Sequence, residues 1–274
     1  CGVLTPSCDW YRVFVNSGHS QRIAVQQPNE NFIEMNGLDP DGNIYKIAYN
    51  EPYNLSGTSI NYSKKTNLDE GIEDFAELFQ KMNPRSSTLS ADLRTFLDIE
   101  EFMGYSVATI ILSHWDGIKN NIFLYHDLAE GGKWKIIPWD VDKTFGYTDS
   151  DSMYYEMPLD FFLTARAPEP TELNGRNLVG PLLRPFHTDP ELNQEFVRRV
   201  ARELDGLFSI NRISGLIQDA QDLLLNDLQL IEQYTNSTNN TRRNQINSAY
   251  DTMRYFLVKR HEVLRSQLPV NFEV

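Results

Sequence analysis

Residues 113–146 read SHWDGIKNNIFLYHDLAEGGKWKIIPWDVDKTFG, and this stretch decides the fold class. Two short runs, Ile122–Tyr125 and Trp134–Pro138, flank the turn residues Glu130-Gly131-Gly132. Aromatic and β-branched residues on either side of a glycine turn predict a β-hairpin. Ahead of it, from Ile99 to about Leu112, the apolar residues Phe102, Val107, Ile110 and Ile111 recur at helical spacing behind Asp98, a residue suited to capping a helix. A hairpin set into helical sequence places the chain in the α+β class.

Toward the N-terminus the first fifty residues read as β. Trp10–Val15 and Arg22–Gln26 are predicted strands with Asn16-Ser17-Gly18 as their turn. The turn Asp39-Pro40-Asp41-Gly42-Asn43 leads into a strand over Ile44–Ile47, and a polar loop is expected from Tyr49 to Thr66. Asn67 then caps a predicted helix from Leu68 to Met82, stopped by Asn83-Pro84, and a short helix is expected over Ser90–Leu97. Toward the C-terminus, residues 149–170 read as irregular and acidic. Helices follow over Leu178–Phe186, Pro190–Leu207, Ile210–Gln233 and Thr241–Leu268, with a polar break at Asn236–Asn240. The outline is a partial β-rich lobe over residues 1–50 and a mostly helical lobe over 51–274 that carries the hairpin.

The chain has 274 residues, 41% of them hydrophobic and 12% aromatic, enough to bury a sizeable core. Its net charge of −13 repels nucleic acid and anionic membranes at long range and suits metal ions and cationic protein partners. No run approaches the ~20 apolar residues of a spanning helix. The two cysteines, Cys1 and Cys8, leave three readings open: a small disulfide loop, a lipidated Cys1, or two free thiols. Sequons begin at Asn54, Asn61, Asn236 and Asn239, and they matter only in a eukaryotic secretory pathway.

The chemistry concentrates in the opening stretch. Asp116 lies in a loop after a helix, Asn121 stands five residues on, and Asp140 and Asp142 follow the hairpin. Phosphoryl transfer needs a carboxylate to orient the attacking hydroxyl and oxygen ligands to hold Mg²⁺ against nucleotide phosphates. Protein kinases supply these with an Asp, an Asn five residues later and a further Asp beyond a β-hairpin. Asp142 joins the set because residues two apart on an extended chain share a face, a reason that lapses if the chain turns at Val141. Spacing alone leaves a second reading open, in which these residues only cap turns. The five histidines lack the spacing of a two-metal phosphoesterase.

The same residues resemble the signature of the spore-coat protein H (CotH) family of atypical, secretory protein kinases. The resemblance rests on Asp116, Asn121–Tyr125, Gly132-Lys133-Trp134, Pro138-Trp139-Asp140-Val141-Asp142 and Phe145-Gly146. It extends to Tyr11–Asn16, Gln26-Gln27-Pro28, Gly42–Lys46, Asp98-Ile99-Glu100 and Phe256–Leu264, so it runs over nearly the whole chain. It implies a protein-kinase-like fold and transfer of phosphate from ATP to Ser or Thr of secreted, surface or coat proteins. It implies Mg²⁺, with Ca²⁺ or Mn²⁺ as alternative ions. By position Asp116 becomes the catalytic base, Asn121 and Asp140 become metal ligands, Asp142 a neighbouring ligand and Trp139 a packing residue.

Two departures accompany the resemblance. Family members carry earlier strands and a helix that hold a phosphate-contacting lysine and its acidic partner, so upstream sequence is expected to be missing and this chain need not be active by itself. Lys46 is the nearest candidate for that cation. His114-Trp115 stands where kinases have His-Arg before the Asp. The alternative function is a non-catalytic adhesin or coat-assembly module on the same fold, secreted or at the cell surface. Arg176, Arg184, Arg198 and Arg199 are candidates for an acidic peptide, with solvated helix faces as the simpler account.

Overall fold

The computed structural model describes residues 2–15, 18–56, 60–82, 89–118, 120–148, 154–161 and 182–268. Strands β1 (Cys8–Val15) and β2 (Gly18–Val25) pair antiparallel from Cys8↔Val25 to Val15↔Gly18. The expected hairpin is present, with Asn16 and Ser17 outside the described residues. A second sheet joins β3 (Asn43–Ile47), β4 (Tyr53–Asn54), β5 (Asn61–Lys64), β6 (Ile122–His126) and β7 (Trp134–Pro138) in the order β4-β5-β3-β6-β7. All its pairings are antiparallel. The expectation of an all-β beginning and a polar loop over 49–66 therefore needs correcting. β4 and β5 lie inside that loop; they are short and polar, and only Tyr62 and Ser63 of the two strands are buried.

A further correction is helix α1 (Glu30–Met35), whose N-cap Asn29 accepts from Phe32 N at 3.1 Å. Its Phe32 and Ile33 cover one face of the second sheet, against Ile44, Phe123, Tyr125 and Ile137. The opposite face carries the main core, where Tyr45, Ile47, Leu124 and Ile136 meet residues of the helical elements. Both faces of β3 and β6 are thus buried, which is why their sequences run apolar instead of alternating.

Helix α2 (Glu73–Lys81) starts five residues later than expected. Asn67 adopts φ +47° and its Nδ2 donates to Asp41 O at 2.8 Å and Asn43 Oδ1 at 3.0 Å, so it closes a turn and caps nothing. Helix α3 (Leu89–Phe96) and helix α4 (Ile99–Ile111) follow as read. α4 is fastened to β7 at its start: Asp98 N donates to Trp134 O at 2.8 Å and Lys135 Nζ sits 2.5 Å from Asp98 Oδ2. Asp98 Oδ1 also caps Glu101 N.

Of the expected helix over Leu178–Phe186, residues 178–181 lie outside the described residues and 182–184 form a turn. Only α5 (Pro185–Thr188) is helical there. Helices α6 (Pro190–Asp205), α7 (Ile210–Thr235) and α8 (Asn240–Gln267) follow among the described residues. Among the described residues no helix is long and apolar enough to cross a membrane. Cys8 is an exposed free thiol, and Cys1 and Arg176 lie outside the described residues.

One carboxylate ties α2 to the sheet. Asp74 accepts from Asn43 Nδ2 (2.9 Å), Tyr45 Oη (2.6 Å), His126 Nδ1 (2.8 Å) and its neighbour Phe75 N (2.7 Å). Burial pushes this carboxyl up, but the donors outweigh burial and hold it at about 2, against 3.8 unperturbed. The stabilisation is therefore fully present above about pH 4 and is lost as the pH falls through about 2. Asp74→Asn should cost about 2 kcal/mol, since hydrogen bonds to a charged group contribute roughly 1.5–3 kcal/mol each and an amide presents a donor to these donors. Urea denaturation at pH 7 and at pH 2.5 checks both statements: the loss should be smaller at the lower pH.

Candidate functional site

The site grows from the end of α4. Ser113 turns the chain with φ +51°, His114 N donates back to Thr109 O at 2.8 Å, and a 3-10 turn over Trp115–Ile118 presents Asp116. Tyr105 Oη donates to Gly117 O at 2.6 Å. A Cβ on Gly117 would sit 2.4 Å from the His114 ring and 2.5 Å from Tyr105 Oη, so only glycine lets the turn close.

Asp116 is buried, and its Oδ2 accepts from Asn120 Nδ2 at 2.9 Å and Asn121 Nδ2 at 2.8 Å. Asn121 Nδ2 also lies 3.4 Å from Asp140 O, and Asn121 O accepts from Trp139 N at 3.0 Å. The structure thus brings together three of the residues singled out in the sequence, Asp116, Asn121 and Asp140. Asn120 was missed by sequence reasoning: it is buried, and its Oδ1 accepts from Tyr49 N at 2.8 Å. The doublet Asn120-Asn121 was its only signal.

Asp142 needs a different reason from the extended chain. Asp140 adopts φ +51°, residues 141 and 142 form a turn, and Thr144 Oγ1 donates to Val141 O at 2.9 Å. The shared-face argument fails there. Asp142 nonetheless feels its neighbour: burial first, then the charge of Asp140, raise its carboxyl above the usual range, with Lys143 opposing. The turn closes when Phe145 N donates to Leu112 O at 2.9 Å, which fastens it to the end of α4. Gly146, at φ +74°, has no room for a Cβ beside the Phe256 ring.

Among the described residues six non-glycine residues have positive φ, and four of them, Ser113, Asn121, Asp140 and Phe145, fall in this one stretch. Left-handed backbone costs energy for residues with a Cβ, so the packing around the site over-determines it.

Lys46 is placed elsewhere in the bonding network. It lies on β3 opposite Phe123, with Nζ 2.9 Å from Glu51 Oε1. Burial raises the Glu51 carboxyl, and Ser63, Lys46 and Lys65 together bring it below the ordinary range. Trp139 packs edge-to-face on Phe123 at 5.4 Å, the packing role expected of it.

A cavity of about 700 Å³ opens beside the Asp140 turn, walled by the end of α4, β2 and the segment before β1. Its apolar lining includes Ile23, Leu112, Trp139 and Val141, with Asp140 and Asp142 contributing carboxylates. That volume suits a small-molecule ligand. His114 lines it too; burial lowers its ring to about 4, so it is neutral at pH 7.

The donors fit one kind of metal site. Among the described residues no three His, Cys, Asp or Glu side chains converge on an ion. Mg²⁺ takes one or two carboxylates and completes its octahedron with water and phosphate oxygens. Asn121, whose Nδ2 makes the bonds to Asp116 and Asp140 and leaves Oδ1 for a ligand, and Asp140 match that demand. They do not match an all-protein cage.

An Asp loop, an Asn at a strand start and an Asp turn beyond a hairpin are the features on which the CotH resemblance rests. A family model described as CotH kinase protein matches residues 1–264, and the chain belongs to the CotH family. It is 25% identical over 111 residues to inner spore coat protein H of Bacillus subtilis, a match covering 40% of this chain and 30% of that protein. It is 32% identical over 102 residues to invasin CotH2 of Rhizopus delemar, covering 35% of this chain and 17% of that protein. The matched stretch therefore spans less than a third of either relative.

If Asp140 and Asp142 share one field, Asp140→Asn should lower the pKa of Asp142 toward the ordinary carboxylate range. Carboxyl-carbon NMR titration reads this directly, and an unchanged Asp142 midpoint would separate the two groups.

Proposed function

We propose that this chain is the core of a protein-kinase-like phosphotransferase that moves phosphate from ATP to Ser or Thr of secreted, surface or coat proteins. The observation that carries the reading is the single Asn121 amide bonded to both Asp116 Oδ2 and Asp140 O. It couples a base candidate to a metal-ligand candidate at fixed separation, and phosphoryl transfer depends on such positioning. When bound, Mg²⁺ neutralises phosphate charge and ATP supplies the phosphoryl group. Asn120 and Asn121 fix the carboxylate plane of Asp116, which orients the acceptor hydroxyl and takes its proton. Asn121 Oδ1 and Asp140 would hold the cation, with Asp142 beside them. Lys46 is the phosphate contact in this reading, and its pairing with Glu51 resembles the lysine–glutamate pair that kinases use. The names of the relatives support a coat or surface setting.

The test is Mg²⁺-dependent incorporation of labelled phosphate by the full-length protein. Asp116→Asn and Asp140→Ala should each lower the rate by about a hundredfold or more, while Lys46→Met should raise KM for ATP. Wild-type rate in Asp140→Ala would remove that residue from the site. No incorporation together with no thermal shift by ATP and Mg²⁺ would favour a non-catalytic surface or coat-assembly module.

A further inference from the structure

Helix α8 runs behind the site and meets it through two side chains one turn apart. The Phe256 ring packs edge-to-face on Phe145 at 5.9 Å and closes over Gly146. Four residues on, Arg260 is wholly buried. Its Nε and Nη2 donate to Ile110 O at 3.1 and 2.6 Å, and its Nη1 donates to Tyr155 O at 2.9 Å and to Met157 O. Among the described residues no carboxylate forms an ion pair with it; its hydrogen bonds go to main-chain carbonyls, and the Tyr154 phenol is close enough to interact with its charge.

A buried guanidinium without a carboxylate is an expensive way to fill space. An apolar side chain of similar length would avoid the desolvation. What the guanidinium offers instead is a planar fork with fixed donor directions. Ile110 lies in the last turn of α4, where carbonyl dipoles favour a cation. Those same carbonyls precede the turn that presents Asp116.

The bonds form a closed circuit. Arg260 holds Ile110, and two residues later Leu112 O accepts from Phe145 N just past the Asp140 turn. Gly146 O accepts from Tyr154 N at 2.7 Å, and Tyr155 and Met157 return to Arg260. The loop with Asp116 and the turn with Asp140 are therefore both anchored through one side chain.

We propose that Arg260 is a positioning residue of the site: through the carbonyls of Ile110, Tyr155 and Met157 it sets the Asp116 loop against the Asp140 turn. The proposal rests on the phosphotransfer reading only for its consequence on rate; its structural content stands apart. Amide hydrogen exchange tests that content in the full-length protein without requiring activity. In Arg260→Met, exchange should rise at least about tenfold in peptides spanning Leu112–Asn121 and Trp139–Tyr147, while β3 and α6 keep wild-type protection. Arg260→Lys, which keeps the charge and loses the fork, should give the same pattern more weakly. Where phosphotransfer is measurable, kcat should fall with KM for ATP nearly unchanged.

A uniform rise in exchange over the whole core, or none at the two peptides, overturns the proposal. Collapse of the Met and Lys variants alike also overturns it, because Arg260 would then serve folding alone. Absence of phosphotransfer in the wild type would sink the kinase reading and leave the exchange result to decide the role of Arg260.

Discussion

The register of β6 against β7 is the constraint on which the site depends. Ile122 pairs with Pro138, so the residue before β6 and the residues after β7 emerge side by side. Asn121 and Asp140 are those residues, and Trp139 N donating to Asn121 O extends the ladder by one step. A slip of one residue would send alternate side chains to the wrong face. β6 is buried on both faces and held by β3 on its other side, so such a slip would expose Phe123, Tyr125 and Ile137 or their opposites. Core burial thereby fixes the position of two polar residues that contribute nothing to the core.

The Asp116 loop is held by other means. α4 is tied at its start to β7 through Asp98 and ends where the loop begins, which makes it a rod between sheet and site. At that end the backbone enters left-handed conformations repeatedly, and each is secured by a named bond or contact. Asn121 is the economical example. Asn tolerates αL better than most residues, and its amide then reaches both Asp116 and Asp140.

Local sequence made part of this legible. The β6–β7 hairpin, the Asp98 cap, and the order Asp116, Asn121, Asp140 all depend on neighbours within a few residues or on a regular period. What escaped depended on distant partners. Asn67 has the chemistry of a helix cap, but Asp41 and Asn43 offered its amide a better use. α1 is too short for its period to show, and β5 is a strand because β3 lies beside it, with β4 added on its other edge. The shared face of the D-x-D holds only for an extended chain, and the bond from Phe145 N to Leu112 O goes with a turn there instead. Arg260 falls inside the Phe256–Leu264 resemblance, but its role did not show there, since its partners are backbone atoms more than a hundred residues away.

Charge gives the last connection. Burial first, and then the charge of Asp140, raise the Asp142 carboxyl, and Lys143 offsets only part of it. Lys46 is paired with Glu51. Arg260 pairs with no carboxylate among the described residues, and it is sealed behind α4 among carbonyls. The charged residues that line the cavity are Asp140 and Asp142. Two like charges held together gain from a bound cation what they lose to each other. In the phosphotransfer reading proposed above, a divalent ion bound there would carry open positions for anionic oxygens, and an otherwise acidic protein would acquire affinity for a phosphate group.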